Sequence, residues 1–153
     1  MRIILYQPDI PQNAGSILRL GACLGVGVDI IEPCGFLWDD RKLRRSGMDY
    51  MDLAQVTRHR SWVAYLEARP PGRLVLLTTK GAVPLPGFAF RDDDGLLFGR
   101  ESVGVPAEVH AVADLGLKVP ICDGARSLNL AMTAALVVGE ALRQTGGFPG
   151  AAP

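Results

Sequence analysis

Hydrophobic positions along the chain fall into short unbroken runs separated by stretches with helical spacing. Residues 2–6 (RIILY), 28–31, 74–77, 96–98 and 117–119 are largely apolar in consecutive positions, as in strands buried on both faces. Between them, residues 13–24, 61–68, 106–112 and 127–144 repeat apolar residues every three or four positions, the spacing of helices. Pro106 stands in the first turn of the third helix, where its missing N–H is tolerated. Arg69-Pro70-Pro71-Gly72 closes the second. Strands interleaved with helices predict one α/β domain, a mostly parallel sheet with helices on both faces. Residues 81–94, rich in Pro, Gly and Asp, read as a surface excursion, and residues 146–153 as a frayed tail. No internal repeat or domain boundary interrupts the pattern.

Sheets of this kind bind ligands beyond the carboxyl ends of their strands. Chemistry is therefore expected in loops 7–15, 32–38, 78–81, 99–105 and 120–126. The glycines that first suggest a dinucleotide fingerprint, Gly21, Gly25 and Gly27, stand after a helix and before a strand. A fingerprint needs the opposite order, so they read as a helix end and a tight turn. Thr78-Thr79-Lys80-Gly81 lacks the spaced glycines of a phosphate loop. Gly99, at the end of a strand in LLFGRESVGVP, admits a close ligand or simply a turn.

Composition narrows the classes further. Sixteen basic and sixteen acidic residues cancel, which argues against a purely electrostatic nucleic-acid binder but leaves room for a local patch. Such a patch is offered by Arg41, Lys42, Arg44 and Arg45, followed by Arg58 and Arg60. Trp38 and Tyr50 flank it and suit either stacking on unpaired bases or burial in the core. Cys23, Cys34 and Cys122 are odd in number and widely spaced, so neither a disulfide framework nor a zinc site is expected. His59 and His110 lack any metal-site pattern, and no metal is expected. The first apolar run is too short for a secretory signal and no run is long enough to span a membrane. The expected compartment is cytoplasmic.

Two helices are unusual. In the first, Arg19 sits between Leu18 and Leu20 in IPQNAGSILRLGACLG. The last, in RSLNLAMTAALVVGEALRQ, is apolar nearly all round, with Leu130, Ala134, Val137, Val138 and Ala141 on one stripe and Leu128, Met132, Ala135 and Leu142 on another. Ser127 or Asn129 caps it. A domain this small has little core to cover both stripes, and the small residues Ala131, Ala134, Ala135 and Gly139 permit close helix approach. A homodimer interface is expected there.

Taken together, IPQNAGSILRL, IEPCGFLWDDRKLRRSGMDY, LTTKG, LLFGRESVGVP and RSLNLAMTAALVVGEALRQ, in this order, resemble the small SPOUT-class RNA ribose methyltransferases, most closely the TrmL (YibK-like) tRNA 2′-O-methyltransferases. The resemblance covers residues 1–150 and implies a SPOUT fold with a C-terminal trefoil knot. It further implies S-adenosyl-L-methionine as methyl donor and a homodimer formed through the first and last helices. The implied substrate is the ribose 2′-hydroxyl of the wobble nucleotide, C or U, in tRNA, usually leucine tRNAs. By position it places cofactor binding at Leu77, Thr78, Thr79, Gly99, Glu101, Val119, Ile121, Ser127 and Leu128, and the polar catalytic motif at Asn13, Arg19, Glu101, Ser127 and Asn129. Gly139 departs from relatives that often carry tyrosine there.

Arg19 would then act as a cation. Neutralising an arginine at pH 7 means lowering a pKa near 13 by about six units, roughly 8 kcal/mol. A charged guanidinium that holds the nucleotide phosphate and stabilises developing negative charge on the hydroxyl is the better assignment. From a helix in a subunit interface it would reach the cofactor loops of the other copy. The competing readings are a knotted RNA-binding protein without catalysis, 2′-O-methylation of another RNA, and a Rossmann-like or flavodoxin-like nucleotide binder. The polar motif counts against the first and the misplaced glycines against the last.

Overall fold

The computed structural model describes residues 1–37, 55–81 and 83–150. Strands β1 (Arg2–Tyr6), β2 (Gly27–Ile31), β3 (Val56–His59), β4 (Leu74–Leu77), β5 (Val83–Pro84), β6 (Gly95–Phe98) and β7 (Leu115–Lys118) form one sheet in the order β3-β2-β1-β6-β4-β7-β5. Every pairing among these strands is parallel. Helices α1 (Pro11–Leu24), α2 (Trp62–Ala68), α3 (Ala107–Val112) and α4 (Leu130–Thr145) complete the described elements.

Successive strand residues point to opposite faces, and the core divides accordingly. Ile3, Leu5, Leu96 and Phe98 face one way and pack with Ile17 and Leu18 of α1 and Val137, Val138 and Ala141 of α4. Ile4, Tyr6 and Leu97 face the other way, toward Tyr65 of α2 and Val109 of α3. Both faces are dry, which is why the strands read as continuous apolar runs. Each fully buried aliphatic side chain contributes roughly 1.5–3 kcal/mol.

The register positions the loops. Leu5 pairs with Phe98, Phe98 with Leu77, and Leu77 with Leu117. Four strands therefore end level, and the segments after β1, β4, β6 and β7 emerge side by side.

Several expectations are corrected. The first helix begins at Pro11, because proline at N1 forfeits only a donor that has no partner there. Pro106 is the N-cap of α3 rather than a residue inside its first turn. The excursion over residues 81–94 is only partly superficial. It contains β5, and Phe88 and Phe90 are buried, edge to face at 4.6 Å. Gln144 of α4 tethers them, accepting from the Phe90 N–H at 2.9 Å and donating to the Phe88 carbonyl at 2.9 Å. Asp94, fully buried, accepts from Arg73 Nε and Nη2, each at 2.8 Å. Gly25 behaves as expected, capping α1 in the left-handed conformation at φ 67°.

Candidate active site

A cleft of about 540 Å³ opens where the level strand ends release their loops. Its wall includes Leu77 at the end of β4 with Thr78 and Thr79 beyond it, Gly99 and Glu101 after β6, and Val119, Ile121, Ser127 and Leu128 after β7. All the residues expected to bind cofactor are thus in one place. Asn13 and Asn129 join them from the starts of α1 and α4.

The β6 loop is closed on itself. Arg100 and Gly104 exchange backbone hydrogen bonds of 3.1 and 2.9 Å, and Gly104 takes φ +72°. The Gly104 backbone passes so near Gly99 that a Cβ there would lie 2.7 Å from the Gly104 carbonyl carbon. The glycine at the strand end is therefore required by its own loop.

Polar side chains form a chain across three segments. Asn13 Nδ2 donates to Glu101 Oε1 at 3.0 Å, and Asn129 Nδ2 donates to Asn13 Oδ1 at 2.9 Å. Asn129 Oδ1 in turn accepts from the N–H groups of Ala131 and Met132 at 2.9 and 3.2 Å. Every link has a forced direction: a carboxylate only accepts and the helix N–H groups only donate, so both amides must lie as they do. Asn129, not Ser127, is thus the α4 cap. Asn13 is available for this chain because α1 starts two residues earlier and does not need it as a cap.

Asn129→Ala should lower stability by about 1 kcal/mol, which is roughly 3 °C in Tm for a domain of this size. Asn129→Ser should restore the cap but not the bridge to Asn13. Thermal unfolding of the two variants checks this, and equal melting of both would refute the capping role.

Glu101 has its carboxyl pushed up from the ordinary value, first by burial and then by Asp9. Asp9 is held below the usual carboxylate range, chiefly through hydrogen bonding with Glu101 and despite burial. Asp9 belongs to no motif seen in the sequence. Its contacts lie 92 positions away, and only the adjacency of β1 and β6 brings them together.

Other expected residues lie elsewhere. Arg19 is on the exposed face of α1 with Gln12, Ser16 and Cys23, and is not among the cleft residues. Arg58 bonds to Glu32, with Nε to Oε1 at 2.8 Å, and Arg60 is exposed just beyond β3. Trp38, Arg41, Lys42, Arg44, Arg45 and Tyr50 lie outside the described residues. His59 is buried, 2.8 Å from Asp29 Oδ1 and edge-on to Tyr65, while His110 is exposed. Neither lines the cleft. No group of three or more metal-ligating side chains occurs among the described residues. No helix among them is long and apolar enough to cross a membrane.

The SpoU rRNA Methylase family pattern matches residues 1–139. This chain belongs to the SpoU methylase family. A tRNA (cytidine(34)-2′-O)-methyltransferase of Ancylobacter novellus is 53% identical over 97% of this chain and 95% of its own length. One of Escherichia coli K12 is 45% identical over 99% and 97%. Among solved structures, one that gives structural insights into the 2-OH methylation of C/U34 on tRNA superposes with a TM-score of 0.87 at 44% identity, covering 94% of each chain. The SpoU methyltransferase AviRb of Streptomyces viridochromogenes, solved with its cofactor AdoMet, gives 0.82 at 27% identity, over 94% of this chain and 60% of that one. The expected α/β SPOUT fold with a parallel sheet is borne out, and membership in a methyltransferase family with it.

Proposed function

We propose that this chain transfers a methyl group from S-adenosyl-L-methionine to the ribose 2′-hydroxyl of the wobble nucleotide, C or U, in tRNA, with leucine tRNAs the expected class. The observation that carries this reading is the cleft at the level ends of β1, β4, β6 and β7, with the Glu101–Asn13–Asn129 chain inside it. Relatives named for that reaction match over nearly their whole length. The cleft volume is in the range of small-molecule sites. Apolar walls beside a carboxylate suit a cofactor that joins an aromatic base to a positive sulfonium.

When bound, S-adenosylmethionine supplies an electrophilic methyl on a good leaving group. The remaining demands fall on the chain. Backbone groups of Thr78, Gly99, Val119 and Ile121, with Leu77, Ser127 and Leu128, seat the cofactor. Asn13, itself held by Asn129, fixes the Glu101 carboxylate by a hydrogen bond. Arg19, charged, holds the nucleotide phosphate and stabilises the hydroxyl oxygen as it becomes negative.

Arg19 does this from a second copy of the chain. The dimer uses α1 and α4, and the α4 surface supports it. Ala134, Val137, Val138 and Ala141 are buried inside the domain, but Met132 and Leu136 stay 62% and 52% exposed. A Cβ built at Gly139 meets nothing within 4 Å, so this copy offers no packing reason for glycine there. Leu142, which the sequence groups on one stripe with Met132, is buried and belongs to the core.

The basic residues Arg41, Lys42, Arg44, Arg45, Arg58 and Arg60 contribute phosphate contacts. The C-terminal knot and a cytoplasmic location belong to the same reading. Mass-spectrometric mapping of ribose methylation in cells with and without this protein tests the proposal. Loss of 2′-O-methylation at the wobble position supports it. An unchanged tRNA profile overturns it, and loss confined to ribosomal RNA would transfer the same chemistry to another substrate.

A further inference from the structure

Asp9 is held in place by contacts from three directions. Its backbone N–H donates to Glu101 Oε2 at 3.1 Å, and its Oδ1 accepts from the Glu101 N–H at 3.1 Å. Its Oδ2 accepts from the Ser102 hydroxyl. Arg100 Nε lies 3.5 Å from the same oxygen, an electrostatic contact rather than a good hydrogen bond. That nitrogen is buried and finds no other acceptor among the described residues. On the opposite side, a Cβ at Gly35 would fall 2.6 Å from Asp9 Cβ, so the chain passes close there too. Gln7 takes φ +46°, a conformation rare for its type, where the loop leaves β1. The Asp9 side chain is 15% exposed.

The two carboxyl groups titrate as a pair, Asp9 held low by its hydrogen bonds and Glu101 pushed up by burial and Asp9. Asparagine has one acceptor oxygen and could not take both the Glu101 N–H on Oδ1 and the Ser102 hydroxyl on Oδ2. The carboxylate at position 9 is matched to both donors, and its charge lies beside Glu101.

We propose that Asp9 is a positioning residue of the methyl-transfer site, clamping the Glu101 carboxylate beside Asn13 and setting the charge it experiences. The role of Glu101 in turnover rests on the function proposed above; the clamp itself does not. The charged group that bonds Glu101 is Asp9 from the β1 loop; Arg100, from Glu101's own loop, lies 3.5 Å from Asp9 Oδ2, and Arg126 lines the same cleft ahead of α4. From α1, the neutral Asn13 donates to it. Asp9 and burial both raise the Glu101 carboxyl, so removing the Asp9 charge must move its titration to lower pH.

Asp9→Asn and Asp9→Ala in the full chain separate clamp from charge. Carbon-detected NMR titration of the Glu101 carboxyl should move to lower pH in Asp9→Asn. Single-turnover methyl transfer to tRNA should fall in both variants, by about threefold or more for Asp9→Asn, which keeps one acceptor oxygen, and by about tenfold or more for Asp9→Ala, with cofactor affinity little changed. An unshifted Glu101 titration in Asp9→Asn, or Asp9→Ala turnover at the wild-type level across pH, overturns the proposal. If Asp9→Ala does not fold, the Asp9→Asn titration decides alone. If the wild-type chain transfers no methyl to tRNA, the function proposed above fails, while the titration still tests the clamp.

Discussion

Arg19→Ala should reduce methyl transfer by about two to three orders of magnitude, the usual effect of removing one group that stabilises a developing oxyanion, while S-adenosylmethionine still binds. The expectation of intact binding follows from geometry, because Arg19 lies on the outer face of α1 and not among the residues of the cleft. Calorimetry with the cofactor and single-turnover transfer to tRNA measure the two halves separately. A stronger form uses two inactive variants together. Glu101 lines the cleft of its own chain, whereas Arg19 is proposed to serve the cleft of the other copy. Co-expressing Arg19→Ala with Glu101→Ala should then rebuild one complete site in each mixed dimer. Random pairing makes half the dimers mixed, so about a quarter of the wild-type rate should return. If Arg19 acted on its own cleft, both sites of every mixed dimer would be defective and no rate would return. A normal rate in Arg19→Ala alone would remove it from the mechanism.

Helical geometry explains why Arg19 looked anomalous in the sequence. Helix α1 buries Ala14, Ile17 and Leu18 toward the sheet, and the stripe Gln12, Ser16, Arg19, Cys23 is turned away. The arginine is thus not on the apolar face at all; its neighbours in sequence are, because successive helical residues diverge by about 100°.

The same physical reasoning separates what the sequence disclosed from what it hid. Strands β1, β2, β4 and β6 were legible because burial on both faces leaves no polar alternation. Strand β3, with sequence VTRH, was not: it ends the sheet among the described strands, and only Val56 and His59 turn from solvent. Strand β5 is two residues long and contains a proline, tolerable only at the sheet edge it occupies. Phe88 and Phe90 were hidden by their Pro-, Gly- and Asp-rich neighbours, since their partner Gln144 lies more than fifty positions away. In the site, the cofactor loops and the Asn13, Glu101, Ser127 and Asn129 positions came through the family resemblance. Asp9 did not, because its significance depends on β1 and β6 being neighbours, and no local signal in QPDIPQ announces that pairing.

Gly99→Val should weaken S-adenosylmethionine binding by about a hundredfold, the scale expected when reacting groups are displaced by about 1 Å. The cause is local and backbone-driven. A Cβ at position 99 would lie 2.7 Å from the Gly104 carbonyl carbon, 3.0 Å from its Cα and 3.0 Å from Val105 Cγ1. Two of these three atoms belong to the main chain, so the obstruction cannot be relieved by a rotamer change. The Arg100–Gly104 bridge must open, and Glu101, carried inside that bridge, must leave Asn13 and Asp9. The core should be spared, because Phe98 and Leu97 precede the obstruction and keep their strand partners. Gly104→Ala is the proper comparison. Space at Gly104 is open, and its penalty is only the left-handed backbone at φ +72°, about 1–2 kcal/mol for a residue with a Cβ. Calorimetric titration should therefore rank wild type above Gly104→Ala and both far above Gly99→Val, with melting temperatures confirming that each variant is folded. Equal cofactor affinity in folded Gly99→Val would show that the β6 loop does not shape the cleft, and the placement of the cofactor there would fall with it.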